Sequence, residues 1–595
     1  MTGEQLYQTA CVACHGREGK GQPESLVGFD TPLPDFTDCA FTTPEADLDW
    51  VVFTLAPFGA ALTIGLVEIQ GAREVRSAHL FRTSDDCMVC HNSLHAPSGE
   101  DVSIGASWRA SMMANSARDP YWQAAVRRET LDHPAAAHAI QDECSKCHMP
   151  MARTEAVLSG REGEVFAHLP VWKSAARGDR LAHDGVSCSI CHQISGDKLG
   201  TPASFTGGYV VSSAPPLGKS SHAVEARPIF GPFEVDKGLT SIMHSATQFR
   251  QTQASHIRQS ELCATCHTLF TKALGPGGEI VGEIPEQVPY LEWRHSSFPS
   301  EERGCQSCHM PQLEEEMRIS SVLGQPRTGL ARHGFVGGNA FMLRMLNRYR
   351  VELAVASLPG ELDEAVRQTV LNLQTASAAV TVERAEIAGG RLDIDVAVRN
   401  LSGHKLPTGY PSRRAWLHVT VHDRSGQLVF ESGAVAPTGS IAGNDNDIDA
   451  TTFEPHYTEV REAGQVQIYE SVMGDGAGVP TTGLLTGVRY LKDNRLAPRG
   501  FEKSSAQPEI AVVGGAAQDA DFGGGADRVR YSVDMAGTNG PLQIDVELRF
   551  QAIGFRWADN LRKYDAAEPR RFVTYYDAMS AAGSEILARA SATTP

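Results

Sequence analysis

Residues 183–192 read HDGVSCSICH, two histidines and two cysteines within ten positions. The second half has a specific chemical use. Thiols at i and i+3 add to the two vinyl groups of a haem, and the histidine that follows ligates its iron. The pentapeptide recurs. It reads CVACH at Cys11, Cys14 and His15, CMVCH at Cys87, Cys90 and His91, and CSKCH at Cys144, Cys147 and His148. It then reads CSICH at Cys188, Cys191 and His192, CATCH at Cys263, Cys266 and His267, and CQSCH at Cys305, Cys308 and His309. With 13 Cys and 21 His in 595 residues, chance gives roughly 0.01 such matches. Six occur, and they use every cysteine but Cys39.

A disulfide scaffold leaves the histidine after each second cysteine unexplained, and zinc ribbons need C-x-x-C pairs in twos around a shared metal. The first cysteines are instead separated by 76, 57, 44, 75 and 42 residues, with no paired rhythm. Six covalently attached c-type haems are the expectation, with Cys39 as a small buried hydrophobe.

Haem attachment takes place outside the cytoplasm, so a periplasmic or otherwise extracytoplasmic location is expected. The sequence opens on MTGEQLYQTACVACH, without a charged n-region or apolar h-region. Either the signal has been removed or the start is misassigned. No apolar run is long enough to span a bilayer; ALTIGLVEI is too short. A formal charge of −18 argues against nucleic acid and favours basic or dipolar partners.

At 595 residues several domains are expected. We divide the chain into a monohaem cytochrome c-like domain at 1–75, a pentahaem domain at 76–358, a linking helix at 359–378, a β-sandwich at 379–560 and a helical tail at 561–595. Five haems in fewer than 300 residues leave little room for a protein-only core, so ring faces must supply apolar area. PYWQAAVRRETLD, near 120–132, is a short helix there. After Pro359, Leu362, Val366, Val370 and Leu373 share one helical face. Period-2 runs then pair across Gly389-Gly390, across Arg424–Gly426 and across Gly537–Gly540, each a hairpin signal. The fold class is therefore multidomain: a mainly α and irregular haem-packed part followed by an antiparallel β-sandwich.

HDGVSCSICH, ELCATCH, the EWRHSSF that precedes CQSCHMP, and RHGFVGGN resemble the multihaem cytochromes c related to tetrahaem nitrification cytochromes and hydroxylamine oxidoreductase. The resemblance covers about 80–355. The first sixty residues look like a small class I cytochrome c, and GHKLPTGYPSRRAW at 403–416 resembles the His-x-x-Pro-Thr-Gly element of β-rich domains appended to such cytochromes. The resemblance implies closely stacked haems that conduct electrons; a few members also convert small nitrogen or sulfur compounds. It further implies that a histidine placed like His183 reaches a neighbouring haem as its distal ligand.

Six haems with two histidine ligands each need six distal histidines, and fifteen histidines lie outside the motifs. His183, His333 and His404, each in a family-like glycine-rich element, lead the candidates. His256, seven residues before Cys263, follows, and then His133 and His79. His295 and His244 are reserves, His418 and His422 read as structural strand residues, and His95, His138, His168, His222 and His456 have no assignment. Met149 and Met310 follow proximal histidines and should pack on porphyrin. The loop NDNDID at 444–449 alternates oxygens as a calcium site does, but Ala450 and His456 stand where an EF-hand needs Gly and Glu. The first haem lacks the distal Met of a class I cytochrome: Ala56 precedes Pro57, and no Met occurs between Met1 and Met88. Its sixth site is filled by His79, is vacant or held by water, or takes a ligand from elsewhere in the chain.

Electron transfer is the leading function, with other redox proteins as partners: cytochromes, membrane quinol oxidoreductase modules or terminal reductases. The alternatives are a reductase or oxidoreductase of a small nitrogen or sulfur compound at one open haem, and a structural subunit of an extracellular cytochrome assembly. All six motifs end in His, which counts against a C-x-x-C-Lys catalytic haem.

Overall fold

Asp119 starts the first long helix. Its carboxylate accepts the backbone N–H groups of Tyr121 and Trp122 at 2.8 and 3.2 Å, and Pro120 occupies the first helical position, where a missing N–H costs nothing. The helix α1, Pro120–Asp132, is followed by α2, Ala137–His148, which ends in the third attachment motif. This computed structural model describes residues 80–171, 176–211, 227–235, 237–322, 324–535 and 540–594. Cys11, Cys14, His15, Cys39, Ala56 and His79 lie outside the described residues.

Two short parallel strands, β1 Arg227–Gly231 and β2 Phe249–Gln253, and a hairpin, β3 Leu269–Leu274 with β4 Ile280–Gln287, sit among the attachment motifs. Beyond them lie α3 Pro289–Arg294, the short helix Cys305–His309 that carries the last attachment motif, α4 Ala340–Arg348 and α5 Pro359–Asn372. Leu362 and Leu373 of the last segment are buried as their spacing requires, while Val366 is only partly covered.

Beyond Ser377 the chain builds two sheets. The first is ordered β5 Ala378–Ala388, β6 Arg391–Asn400, β13 Ala526–Asp534 and β9 Glu459–Val460; the second is built around β7 Arg414–His422, with β8 Leu428–Ser432 on it. The remaining strands are β10 Ile468–Gly474, β11 Pro480–Thr481, β12 Arg489–Asp493, β14 Gln543–Gln551 and β15 Ser584–Thr593. The inner faces share one apolar core: Leu392, Ile394, Val396 and Val398 from one sheet meet Leu417, Val419, Ile544 and Val546 from the other. Gly389 and Gly390 have φ of 58° and 82°, the two left-handed residues a type I′ hairpin needs, and β5 pairs with β6 across them.

Two expectations change. The run RVRYSVDMAGTNGPLQIDVELRF is not a hairpin, because β13 pairs with β6 and β9 whereas β14 pairs with β7 and β15. Both strands alternate buried and exposed residues, and each places its apolar face on the shared core from opposite sheets. The tail is helical at α6, Ala567–Asp577, and in two short 3-10 turns, whereas Ser584–Thr593 is a strand antiparallel to β14, with Leu587 turned inward.

Residues 80–595 pack as one unit. Tyr121 of α1, Phe341, Met345 and Leu346 of α4, Leu362 of α5 and Phe572 and Tyr576 of α6 share a second core. Arg127 binds Glu568 at 2.8 and 3.0 Å, and Tyr564 donates to Asp132 at 2.6 Å. The C-terminal segment is thus fastened to the motif-bearing part. Truncating Phe572, which is fully buried, to Ala should cost about 3–5 kcal/mol. The check is a drop in the thermal midpoint for both the haem absorbance and the far-UV signal; a drop in only one would mean that the two parts melt independently.

Candidate haem-binding site

A turn of helix puts residues i, i+3 and i+4 on one face. Cys144–His148 and Cys305–His309 lie within helices, and Cys188–Cys191 is one such turn. All five described motifs line a single cavity of about 1670 Å³, walled by α1, the β4 strand and the turn at 403–413. Neighbouring motifs touch. The Cys87 thiol is raised chiefly by Cys188, Cys147 by Cys266, and Cys263 by Cys305. These perturbations mark adjacency, since thioether formation removes the titration.

The imidazoles are oriented by backbone. His91 Nδ1 donates to Ile319 O at 2.6 Å, His148 to Ser116 O at 3.1 Å, His192 to Phe230 O at 2.6 Å and His309 to Val336 O at 2.5 Å. Each bond fixes the tautomer that leaves the Nε2 lone pair free for a metal. Trp122 stacks on His148 with centroids 4.3 Å apart and planes 7° apart. Burial holds His148, His267 and His333 down to about 4, so these rings are neutral at pH 7.

Two of the distal candidates enter this cavity. His333 faces His192 with centroids 6.5 Å apart and planes at 20°, and His404 faces His309 at 6.2 Å and 13°. Metal–nitrogen bonds of about 2 Å on each side, plus half a ring, account for that separation. His333 and His404 also donate from Nδ1 to carbonyls, of Ala331 at 2.8 Å and Lys405 at 2.9 Å. The residues therefore fit a haem c with covalent thioether links and axial imidazoles.

The other candidates are placed differently. His183 is buried, and its Nε2 contacts His168 O at 2.6 Å; His256 directs Nε2 at Ile194 O at 2.9 Å. Neither lines the cavity, and ligation by either requires the ring to turn or to use Nδ1. His133 is outside the lining too, but its Nε2 is buried without a hydrogen-bond partner. His295 Nε2 contacts Glu502 O at 3.1 Å, His244 is exposed, and His418 bridges Glu431 and Glu547 across strands. Met310 lines the cavity, whereas Met149 is fully buried in a protein core with Phe81, Trp122 and Leu181. The NDNDID loop spends Asp447 on a buried bidentate pair with Arg414 at 2.8 and 2.9 Å, which removes the central oxygen a calcium ion would use.

His456, Asp519 and Asp527 converge as a metal site would. The Gln467 and Asn494 amides, fixed by backbone partners, both donate to His456 Nδ1 at 2.9 and 3.1 Å. The proton therefore sits on Nε2 and donates to Asp519 at 3.0 Å, which leaves no lone pair for a cation.

His404 owes its place to buried charge. Lys405 Nζ donates to Asp493 at 2.7 Å, Arg495 binds Asp493 at 2.9 and 2.8 Å, and Arg495 meets Glu292 of α3 at 3.0 Å. Glu292 in turn accepts Lys405 N–H at 3.1 Å and Thr408 Oγ1–H at 2.5 Å. Sequence reasoning saw the Gly-His-Lys-Leu-Pro-Thr-Gly turn and the EWRHSSF stretch that begins at Glu292, but not that the two meet, nor that Asp493 and Arg495 join them. Burial alone would raise Asp493; Arg495 and Lys405 outweigh it and hold the carboxyl down to about 2. With an unfolded value near 3.9, this stabilisation is complete above about pH 4 and is lost as pH falls through about 2. Acidification of holoprotein across that window should release the turn, read as a Soret shift, and Asp493→Asn should lower stability at pH 7 by about 3–5 kcal/mol. An acid transition unchanged in the variant would contradict this assignment.

Residues 1–52 match the family model described as cytochrome c. No curated protein matches the chain. Among solved structures, a penta-haem cytochrome c552 from Thermochromatium tepidum is 16% identical, with a TM-score of 0.46, over 86% of this chain and 99% of that one. The cytochrome c match, with five further attachment motifs around one cavity, supports a multihaem cytochrome c carrying covalently bound haem c.

Proposed function

We propose that this protein carries electrons between extracytoplasmic redox partners through six covalent haems, most of them held by two histidines. The observation that carries this reading is the pair of near-parallel imidazole couples, His192 with His333 and His309 with His404, in the cavity that all five described motifs share. The haems supply one-electron chemistry, and two strong-field imidazoles keep the iron six-coordinate in both oxidation states. The chain sets the rest: carbonyls orient the ligands, and the thiol adjacencies support a route from the Cys305 motif through the Cys263 motif to the Cys188 and Cys87 motifs, with the Cys144 motif as a branch. His133, with its unpartnered buried Nε2, is the next ligand we propose. His79 and the Cys11–His15 haem complete the set as the entry or exit port. The two sheets between Ala378 and Thr593, which share one core, serve as the mount for His404. The net charge of −18 favours docking to basic or dipolar redox proteins.

A second reading, reduction of a small nitrogen or sulfur compound at an open haem, draws on one fact. Five motif histidines line the cavity, but only two other described histidines do.

Pyridine haemochrome analysis should find six haems per chain after acid–acetone extraction. His333→Ala and His404→Ala should each convert one low-spin haem to high-spin in the EPR spectrum, with all six haems retained. An unchanged spectrum in both variants would refute the paired-ligand reading. Carbon monoxide binding to the reduced wild-type protein would favour the second.

A further inference from the structure

Glu286, on the inner side of β4, is 6% exposed and lines the cavity beside the Cys144 motif. Thr271 Oγ1 donates to its carboxylate at 2.5 Å. The neighbouring wall is also acidic: Glu129 of α1, 4% exposed, accepts the backbone N–H groups of Leu484 and Leu485 at 2.8 and 3.3 Å. Tyr121 and Tyr410 pack edge to face at 5.8 Å, Tyr121 near Glu129 and Tyr410 near both carboxyls. Glu286 and Glu129 act on Cys144, Glu286 acts on Cys147, and both act on Tyr410. From the far side Tyr490 donates to Pro285 O at 2.8 Å, and Glu143 faces the same thiols from α2. Arg128, the cation of this wall, faces Glu129 and pairs with Thr482 and Asp132. The groups acting on Glu286 are Thr271 and Glu129, and among the described residues no cation pairs with its carboxylate.

Such a carboxyl cannot ignore an electron arriving at its side. A buried negative charge without a cation is costly, and a second negative charge nearby makes protonation the cheaper state. We propose that Glu286 takes up a proton when the haem attached at Cys144 and Cys147 is reduced, so that this station couples electron transfer to proton transfer. The step balances. One electron from the donor protein converts ferric to ferrous iron, one solvent proton forms an O–H bond on the Glu286 carboxylate, and reoxidation releases both. Burial, opposed by the Thr271 hydrogen bond, raises the carboxyl to about 7, which places the coupled window near neutral pH. This inference rests on the electron-transfer reading above.

The test is spectroelectrochemistry of the full-length holoprotein from about pH 5.5 to about pH 8.5, with redox-difference infrared spectra. Reversible haem steps test the electron-transfer reading; their pH dependence tests the proton. In wild type at least one step should move down with pH by up to 59 mV for each tenfold fall in proton concentration, and reduction should produce a protonated-carboxyl band. In Glu286→Gln that slope and that band should disappear while the steps remain reversible. Thr271→Val, which removes the hydrogen bond that favours the ionised form, should move the window to higher pH. A Glu286→Gln protein that keeps every slope and the carboxyl band would overturn the proposal and leave the reading of electron transfer intact. Irreversible or absent haem steps in wild type would overturn that reading instead.

Discussion

A backbone carbonyl bonded to Nδ1 is the contact on which the arrangement of this molecule turns. His91, His148, His192 and His309 each take theirs from a segment between 27 and 228 residues distant. Each bond contributes only about 1 kcal/mol net, but a buried ring without it would carry an unsatisfied donor and rotate away from its axis. To meet four such donors, the segments at Ser116, Phe230, Ile319 and Val336 must converge on one cavity. The irregular backbone of this region is what that convergence looks like. Long regular elements could not bring single carbonyls to four scattered rings.

The β-rich part answers a different constraint. His404 sits in a turn between strands, far in sequence from any motif, and must face His309 across about 6 Å. Lys405, Asp493, Arg495 and Glu292 hold it there, all nearly inaccessible to solvent. Buried ion pairs often add little to stability relative to apolar packing, yet losing one member strands the others. Here that asymmetry fixes a position: the turn has one place where every charge is paired. Arg414 and Asp447 repeat the device next to it and take the acidic loop out of contention for a cation.

The attachment motifs were legible because covalent chemistry demands a rigid local spacing. So were the helix at Pro120–Asp132 and the hairpin at Gly389-Gly390, where cap and turn residues dictate backbone geometry. What lay beyond the sequence was set by distant partners. The strands at Ala526–Asp534 and Gln543–Gln551 alternate as a hairpin would, and nothing local records that their apolar faces belong to different sheets. The final strand likewise looks helical in composition, with Ala at every second position from Ala588 to Ala592, until β14 supplies a neighbour. Among the histidines, glycine-rich context pointed to His183, His333 and His404, of which the last two line the cavity. It could not reveal which ring nitrogen a carbonyl would occupy in His183 or His256, because that depends on the folded positions of His168 and Ile194. Glu286 left no signal at all in an alternating strand.

The adjacency of cysteines from distant motifs bears on how the molecule is made. Cys87 lies against Cys188, Cys147 against Cys266 and Cys263 against Cys305, and the thiols mostly point inward. A ligase needs each pentapeptide extended and reachable, a state the finished interior forbids. Loading must therefore precede collapse. Because the Cys305 motif closes against Cys263 and comes last of the six along the chain, the interior cannot seal until the final pentapeptide has been made. Biogenesis runs on a clock set by the end of the motif-bearing segment, and the maturing chain spends that interval open, dependent on whatever holds it apart.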